Sequence, residues 1–146
     1  MSAFLSFKLI IFYIYIASLY LKENIIKNKA LTKYKRTTMA QFAVIGLGSF
    51  GATVAQELTR LNHDVIGIDT VKKNVENLAD VLTHAVIADA TDEHVLDELN
   101  IQNCDAVVVA IGEDIEASIL CVLNLKNLGI DKIWVKAKTK AHHTIL

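Results

Sequence analysis

Proline is absent from all 146 residues, and cysteine occurs only twice, at Cys104 and Cys121. Without proline there is no Pro-rich linker to divide the chain into stiffly spaced modules. Two cysteines so far apart, with no CxxC spacing, exclude a disulfide framework and a structural zinc site. Both read as small apolar residues in packed elements. The histidines offer no metal pattern either. His142 and His143 are adjacent and cannot share one helix face, and His63, His84 and His94 stand alone as surface or strand-edge residues. Acidic residues are nearly missing from the first 38 positions, where Glu23 faces seven basic residues, a net charge of +6. Glycine and valine are missing there altogether, while all four tyrosines are found there. Residues 39–146 reverse the balance, with eight basic and fifteen acidic residues, a net of −7. An acidic globular part of this kind excludes nucleic acid as a partner, because phosphate backbones need a concentrated basic face.

What is present divides at Met39. Residues 1–38 form an apolar and basic extension. Its apolar stretch, Phe4 to Leu21, is interrupted by Lys8 and approaches the roughly 20 residues that span a bilayer. The basic tract that follows, Lys22 to Arg36, would keep residues 22–146 on the cytoplasmic side if the stretch spans. A cleaved signal peptide does not fit, since no small-residue cleavage site precedes the basic tract. The preferred reading is a mis-assigned start. The Ile/Lys/Asn/Tyr/Phe bias is that of a translated AT-rich upstream region, with Met39 the true first residue.

From Met39 the pattern is regular. The apolar runs 41–45, 64–69, 84–89, 106–111 and 132–137 predict five strands. Between them lie helical patterns: one running to about Leu61, one over Val71 to Ala79, one over 91–100 capped by Thr91 or Asp92, and one from about Asp114 to Leu128, stopped by Gly129. Continuous apolar strands alternating with helices predict a parallel sheet buried on both faces, an α/β doubly wound, Rossmann-like fold.

The first strand runs into Gly46-Leu47-Gly48-Ser49-Phe50-Gly51, a GxGxxG turn with a helical segment after it. That motif alone is weak. Here a strand precedes it, a helix follows it and Asp69 closes the second strand eighteen residues on, as a dinucleotide site requires. Gly46 permits the tight turn, Gly48 lets a pyrophosphate approach the backbone, and Gly51 lets helix and strand pack. The phosphates would sit on the helix N-terminus. Asp69, followed by Thr70, would accept hydrogen bonds from a ribose hydroxyl pair, which favours a nucleotide with a free 2′-OH over NADP. Asp89 and Thr91 end the third strand at the same sheet edge, with Ala90 between them as a further candidate contact; Asp89 is read either as an adenine-side contact or as a helix cap. Gly112 ends the fourth strand beside the crevice. Glu113, Asp114 and Glu116 read as a solvated helix start.

The segments "QFAVIGLGSFG", "HDVIGID", "THAVIADATDE", "VVVAIGEDIEASIL" and "IWVKAKTKAHHTIL" together resemble the N-terminal lobe of KtrA/TrkA-type regulators of bacterial potassium uptake, the RCK domains. The resemblance covers residues 39–146. It implies a cytoplasmic, non-enzymatic subunit, peripheral to the inner face of the plasma membrane, that binds NAD or NADH, or ATP/ADP, and no metal within this stretch. It also implies self-assembly as a homodimer or octameric ring, and a membrane potassium-translocating subunit as partner. By motif position it carries the phosphate loop onto Gly46, Gly48 and Gly51, the ribose acid onto Asp69 and the adenine-side contact onto Asp89. Two departures stand out. Where the family's loop commonly has an arginine that reaches a phosphate across the dimer, this chain has Ser49, so poor discrimination of ATP from ADP is expected. The chain also ends at Leu146, so the expected lobe is truncated before its last strand. The competing class is the cofactor-binding domain of an NAD-dependent oxidoreductase, for which no acid/base constellation is evident.

Overall fold

The computed structural model describes residues 39–146, so the expectation of a membrane segment at 4–21 lies outside the described residues. The elements are β1 (Gln41–Ile45), α1 (Ser49–Arg60), β2 (Asp64–Asp69), α2 (Lys72–Glu76), β3 (His84–Ile87), α3 (Glu93–Glu98), a 3₁₀ turn (Ile101–Asn103), β4 (Ala106–Val109), α4 (Ile115–Asn127), β5 (Ile133–Val135) and α5 (Lys140–Ile145). The strands form one five-stranded sheet in the order β3-β2-β1-β4-β5, and every pairing is parallel. This is the doubly wound Rossmann-like architecture the alternating pattern predicts.

Register decides where the sheet opens. Ile45 at the end of β1 lies opposite Ile68 on one side and Val109 on the other. The chain leaves β1 toward β2 and returns on the far side as β4, so the strand order reverses between β1 and β4. In open sheets the crevice at that reversal is where ligands sit. The three central strands carry the core. Phe42, Ala43, Val44 and Ile45 of β1 are all buried, as are Val65 and Ile68 of β2 and Val107 and Val109 of β4. Helix α1 closes one side with Val54, Ala55 and Leu58, and α4 contributes Cys121 and Leu125. Each large aliphatic or aromatic side chain fully buried in this way contributes about 1.5–3 kcal/mol of transfer free energy.

Several details depart from the sequence reading. β3 and β5 are edge strands, shorter than expected, and Ile87 on β3 is 51% exposed, so burial on both faces holds for the three inner strands only. β4 stops at Val109 instead of Ile111 because its neighbour β1 has already turned away at Gly46, leaving the ladder without a partner. α2 has five residues followed by turns that bury Leu78 and Leu82. The 3₁₀ turn was not expected; it buries Ile101 completely and starts from Asn100 in the left-handed region at φ 54°. Of the two N-cap candidates for α3, Asp92 takes the role, its Oδ1 accepting the His94 N–H at 3.0 Å.

Candidate functional site

The turn after β1 is built by two glycines that tolerate no substitution for different reasons. Gly46 sits at φ 89°, and a Cβ there would meet the Ala110 carbonyl carbon at 2.9 Å. Gly51 starts α1 against the turn itself, where a Cβ would collide with the Gly46 carbonyl oxygen. Gly48 is different: it is the N-cap of α1, its φ of −62° suits any residue, and a Cβ there would have no neighbour within 4 Å. No side chain caps α1, and its first turn has no acidic residue. The N–H groups and positive dipole end of a 12-residue helix therefore face open space beside a residue with no side chain, which suits an approaching phosphate.

Asp69 ends β2 next to this turn. Its Oδ2 accepts the Leu47 N–H at 2.6 Å and the Asn74 amide at 3.1 Å, while Oδ1 accepts the Val71 N–H at 2.7 Å. An ionised carboxylate has about four acceptor positions. Three are in use, and one on Oδ1 is left for a hydroxyl. Asp89 makes a tighter local arrangement, its Oδ1 accepting both the Thr91 hydroxyl at 2.7 Å and the Thr91 N–H at 2.9 Å. Those bonds, the hydroxyl first, hold its carboxyl below the usual carboxylate range. Asp89 is thus the acceptor of a turn and not the cap of α3. The Thr91 carbonyl in turn accepts the Asn124 amide at 2.8 Å, which ties α4 to the same edge.

These pieces surround a cleft of about 700 Å³ over the carboxyl ends of β1, β2, β3 and β4. Of the expected site residues, Gly46, Gly48, Asp69, Thr70, Asp89, Ala90 and Gly112 line it. Its volume lies in the range of sites that hold nucleotide-sized ligands. Residues 42–146 match the family model of the TrkA-N domain. The chain belongs to the TrkA-N domain family.

The Ktr system potassium uptake protein A of Bacillus subtilis is 50% identical over 106 residues, which are 73% of this chain and 48% of that protein. Protein C of the Ktr system of the same organism is 46% identical over the same shares. The chain therefore spans about half the length of the curated relatives it matches. Among solved structures, the NAD(P)-binding domain of an exopolyphosphatase-related protein from Archaeoglobus fulgidus superposes with a TM-score of 0.58 at 26% identity, over 73% of this chain and 82% of that one.

The remaining loop residues of the TrkA-N domain stand beside the cleft without lining it. The Leu47 side chain is buried, packed over Gly67 of β2, and only its N–H reaches Asp69. Ser49 is exposed, and its carbonyl accepts the Thr53 hydroxyl at 2.8 Å. Phe50 is half-buried, under the ammonium of Lys136 at 5.3 Å from the ring centroid. Sequence reasoning missed Asn74, which fixes Asp69, and the apolar walls Ile68, Ala88, Ile111, Ala117 and Leu120. Ala117 and Leu120 carry the one legible signal, an i, i+3 spacing on α4.

Neither cysteine is poised for chemistry. Burial, with a smaller contribution from Asp105, pushes the Cys104 thiol up to about 11, and burial with Asp89 pushes Cys121 up to about 12. His142 is buried, and its Nδ1 accepts the Lys138 N–H at 3.1 Å. Among the described residues no group of three or more His, Cys, Asp or Glu side chains is placed to hold a metal ion.

Proposed function

We propose that residues 39–146 bind an adenine nucleotide with a free ribose 2′-OH, either NAD or NADH, or ATP/ADP, as the sensing lobe of a potassium uptake system. The observation that carries the reading is the open space at Gly48 in front of the uncapped α1 N-terminus, with Asp69 at the next strand end holding one acceptor position in reserve. Gly46, Gly48 and the α1 N–H groups would take the phosphates, Asp69 and Thr70 the ribose, and Asp89 with Ala90 the adenine side. The 2′-phosphate of NADP would meet the Asp69 carboxylate, so NADP is disfavoured. The names of the relatives, potassium uptake proteins of the Ktr system, support the physiological setting. In that setting the lobe would be a regulator without catalytic activity. It would sit at the cytoplasmic face of the membrane, pair with copies of itself as a dimer or octameric ring, and act on a membrane potassium-translocating subunit. Among the described residues no helix is long and apolar enough to cross a membrane. Calorimetry with NADH, NAD, ATP, ADP and NADP tests the binding reading. Binding of one of the first four, tighter than NADP, is the expected result, and NADP binding tighter than NAD overturns it.

A further inference from the structure

The cleft is electrostatically one-sided. Its ionisable lining is Asp69, Asp89, Glu113, Asp114 and Glu116, and among the described residues no Lys, Arg or His lines it. A polyphosphate entering it needs a cation from outside the lining, since the helix dipole supplies only about half a charge. Two lysines reach its rim from the segment after β5. Lys138 is engaged, its Nζ lying 3.5 Å from the Glu113 carboxylate and 3.4 Å from the Glu113 carbonyl. Lys136 makes no ion pair with a carboxylate among the described residues. Its backbone N–H is fixed to the Val109 carbonyl at 2.9 Å, so the strand ladder sets where its side chain begins. Its ammonium then lies over the Phe50 ring, in the first turn of α1, and 3.2 Å from where a Cβ of Gly112 would stand. The charge is thus held between the phosphate loop and a cleft-lining glycine, by a ring face that attracts a cation without neutralising it.

We infer that Lys136 is the phosphate-tail counter-ion of this site, supplied within the same chain by the residue that follows β5. The inference rests on the nucleotide reading above. The Phe50 ring parks the ammonium at the rim, and a bound phosphate oxygen, a stronger partner than a ring, draws it inward. The residue then sorts ligands by phosphate charge and leaves recognition of the nucleoside to the Asp69 and Asp89 edges.

The test compares adenosine, ADP and ATP by calorimetry on the full chain, as wild type, Lys136→Met and Lys136→Arg. Lys136→Met keeps the alkyl stem and removes the charge. It should weaken ADP and ATP by about tenfold, the low end for an exposed charge-assisted contact, and leave adenosine within about twofold. Lys136→Arg should recover most of the loss, and the salt dependence of ADP binding should flatten in Lys136→Met alone. Unequal loss across the three ligands is the readout that a purely structural role for Lys136 cannot produce. If wild type binds ADP more tightly than adenosine and Lys136→Met leaves that ratio unchanged, or lowers all three affinities equally, the assignment of Lys136 is wrong. If wild type binds no nucleotide at all, the nucleotide reading itself falls and takes this assignment with it.

Discussion

Two carboxylates at the strand ends do different work, and each has its own test. Asp69 spans the glycine turn and α2 through three hydrogen bonds. Asp69→Ala strands the Leu47 N–H and removes the proposed ribose acceptor together. It should weaken nucleotide binding by about 1–3 kcal/mol and lower the melting temperature, both measurable on one sample. Asp69→Asn should retain part of the stability and lose the binding, because an amide oxygen accepts more weakly than a carboxylate. Asp89 is held by Thr91 below its ordinary value of 3.8. A folded value below the unfolded one contributes stability that is complete above the unfolded value and is lost as pH falls through the folded one. Thr91→Val removes the hydroxyl donor, so its unfolding free energy should change less than that of wild type across the acid range below about pH 4. Urea titrations at several acid pH values decide this; parallel curves for the two proteins would refute the role of the hydroxyl.

At the scale of elements, the glycine turn separates packing from recognition. Gly51→Ala drives a methyl into the Gly46 carbonyl and should cost about 1–3 kcal/mol or more of stability, the range for overpacking. Gly48→Ala places its methyl in empty space, so the fold should persist within about 1 kcal/mol while nucleotide affinity falls. Chemical denaturation and calorimetry on both variants check the split, and equal stability losses would contradict it. Much of this element was legible beforehand: strand, GxGxxG, helix and a following acid are contiguous in sequence. What was not legible involves partners far along the chain. The bond from Leu47 to Asp69 spans 22 residues, and the end of β4 depends on where β1 turns away. Lys136 could be placed near Phe50 only once the sheet order set β5 two strands from β1. Edge strands were overextended because an apolar run continues past the point where a neighbour exists to pair with it. The choice between Thr91 and Asp92 as cap likewise turned on geometry, since Thr91 is already spent on Asp89.

For the whole molecule, the two thiols report the integrity of the core. Both titrate well above neutrality because burial disfavours the thiolate. At pH 8 the folded protein should react sluggishly with iodoacetamide at both sites and rapidly in denaturant, with half-buried Cys104 labelled ahead of Cys121. Prompt labelling of Cys121 in the native protein would mean that the packing between α4 and the sheet opens more readily than its burial indicates.

The turn between β1 and α1 is fastened twice, by the Leu47 N–H on Asp69 and by the Leu47 side chain lying over the notch that Gly67 leaves in β2. Its ordering entropy is therefore settled during folding and need not be met again when a ligand arrives. Amide hydrogen exchange should show this directly: the Leu47 amide exchanging as slowly as those of β1, hardly slower after nucleotide is added, and fast in Asp69→Ala. A loop prepared in this way would receive the proposed nucleotide as a mould does, and any motion reporting its occupancy would have to begin elsewhere on the rim.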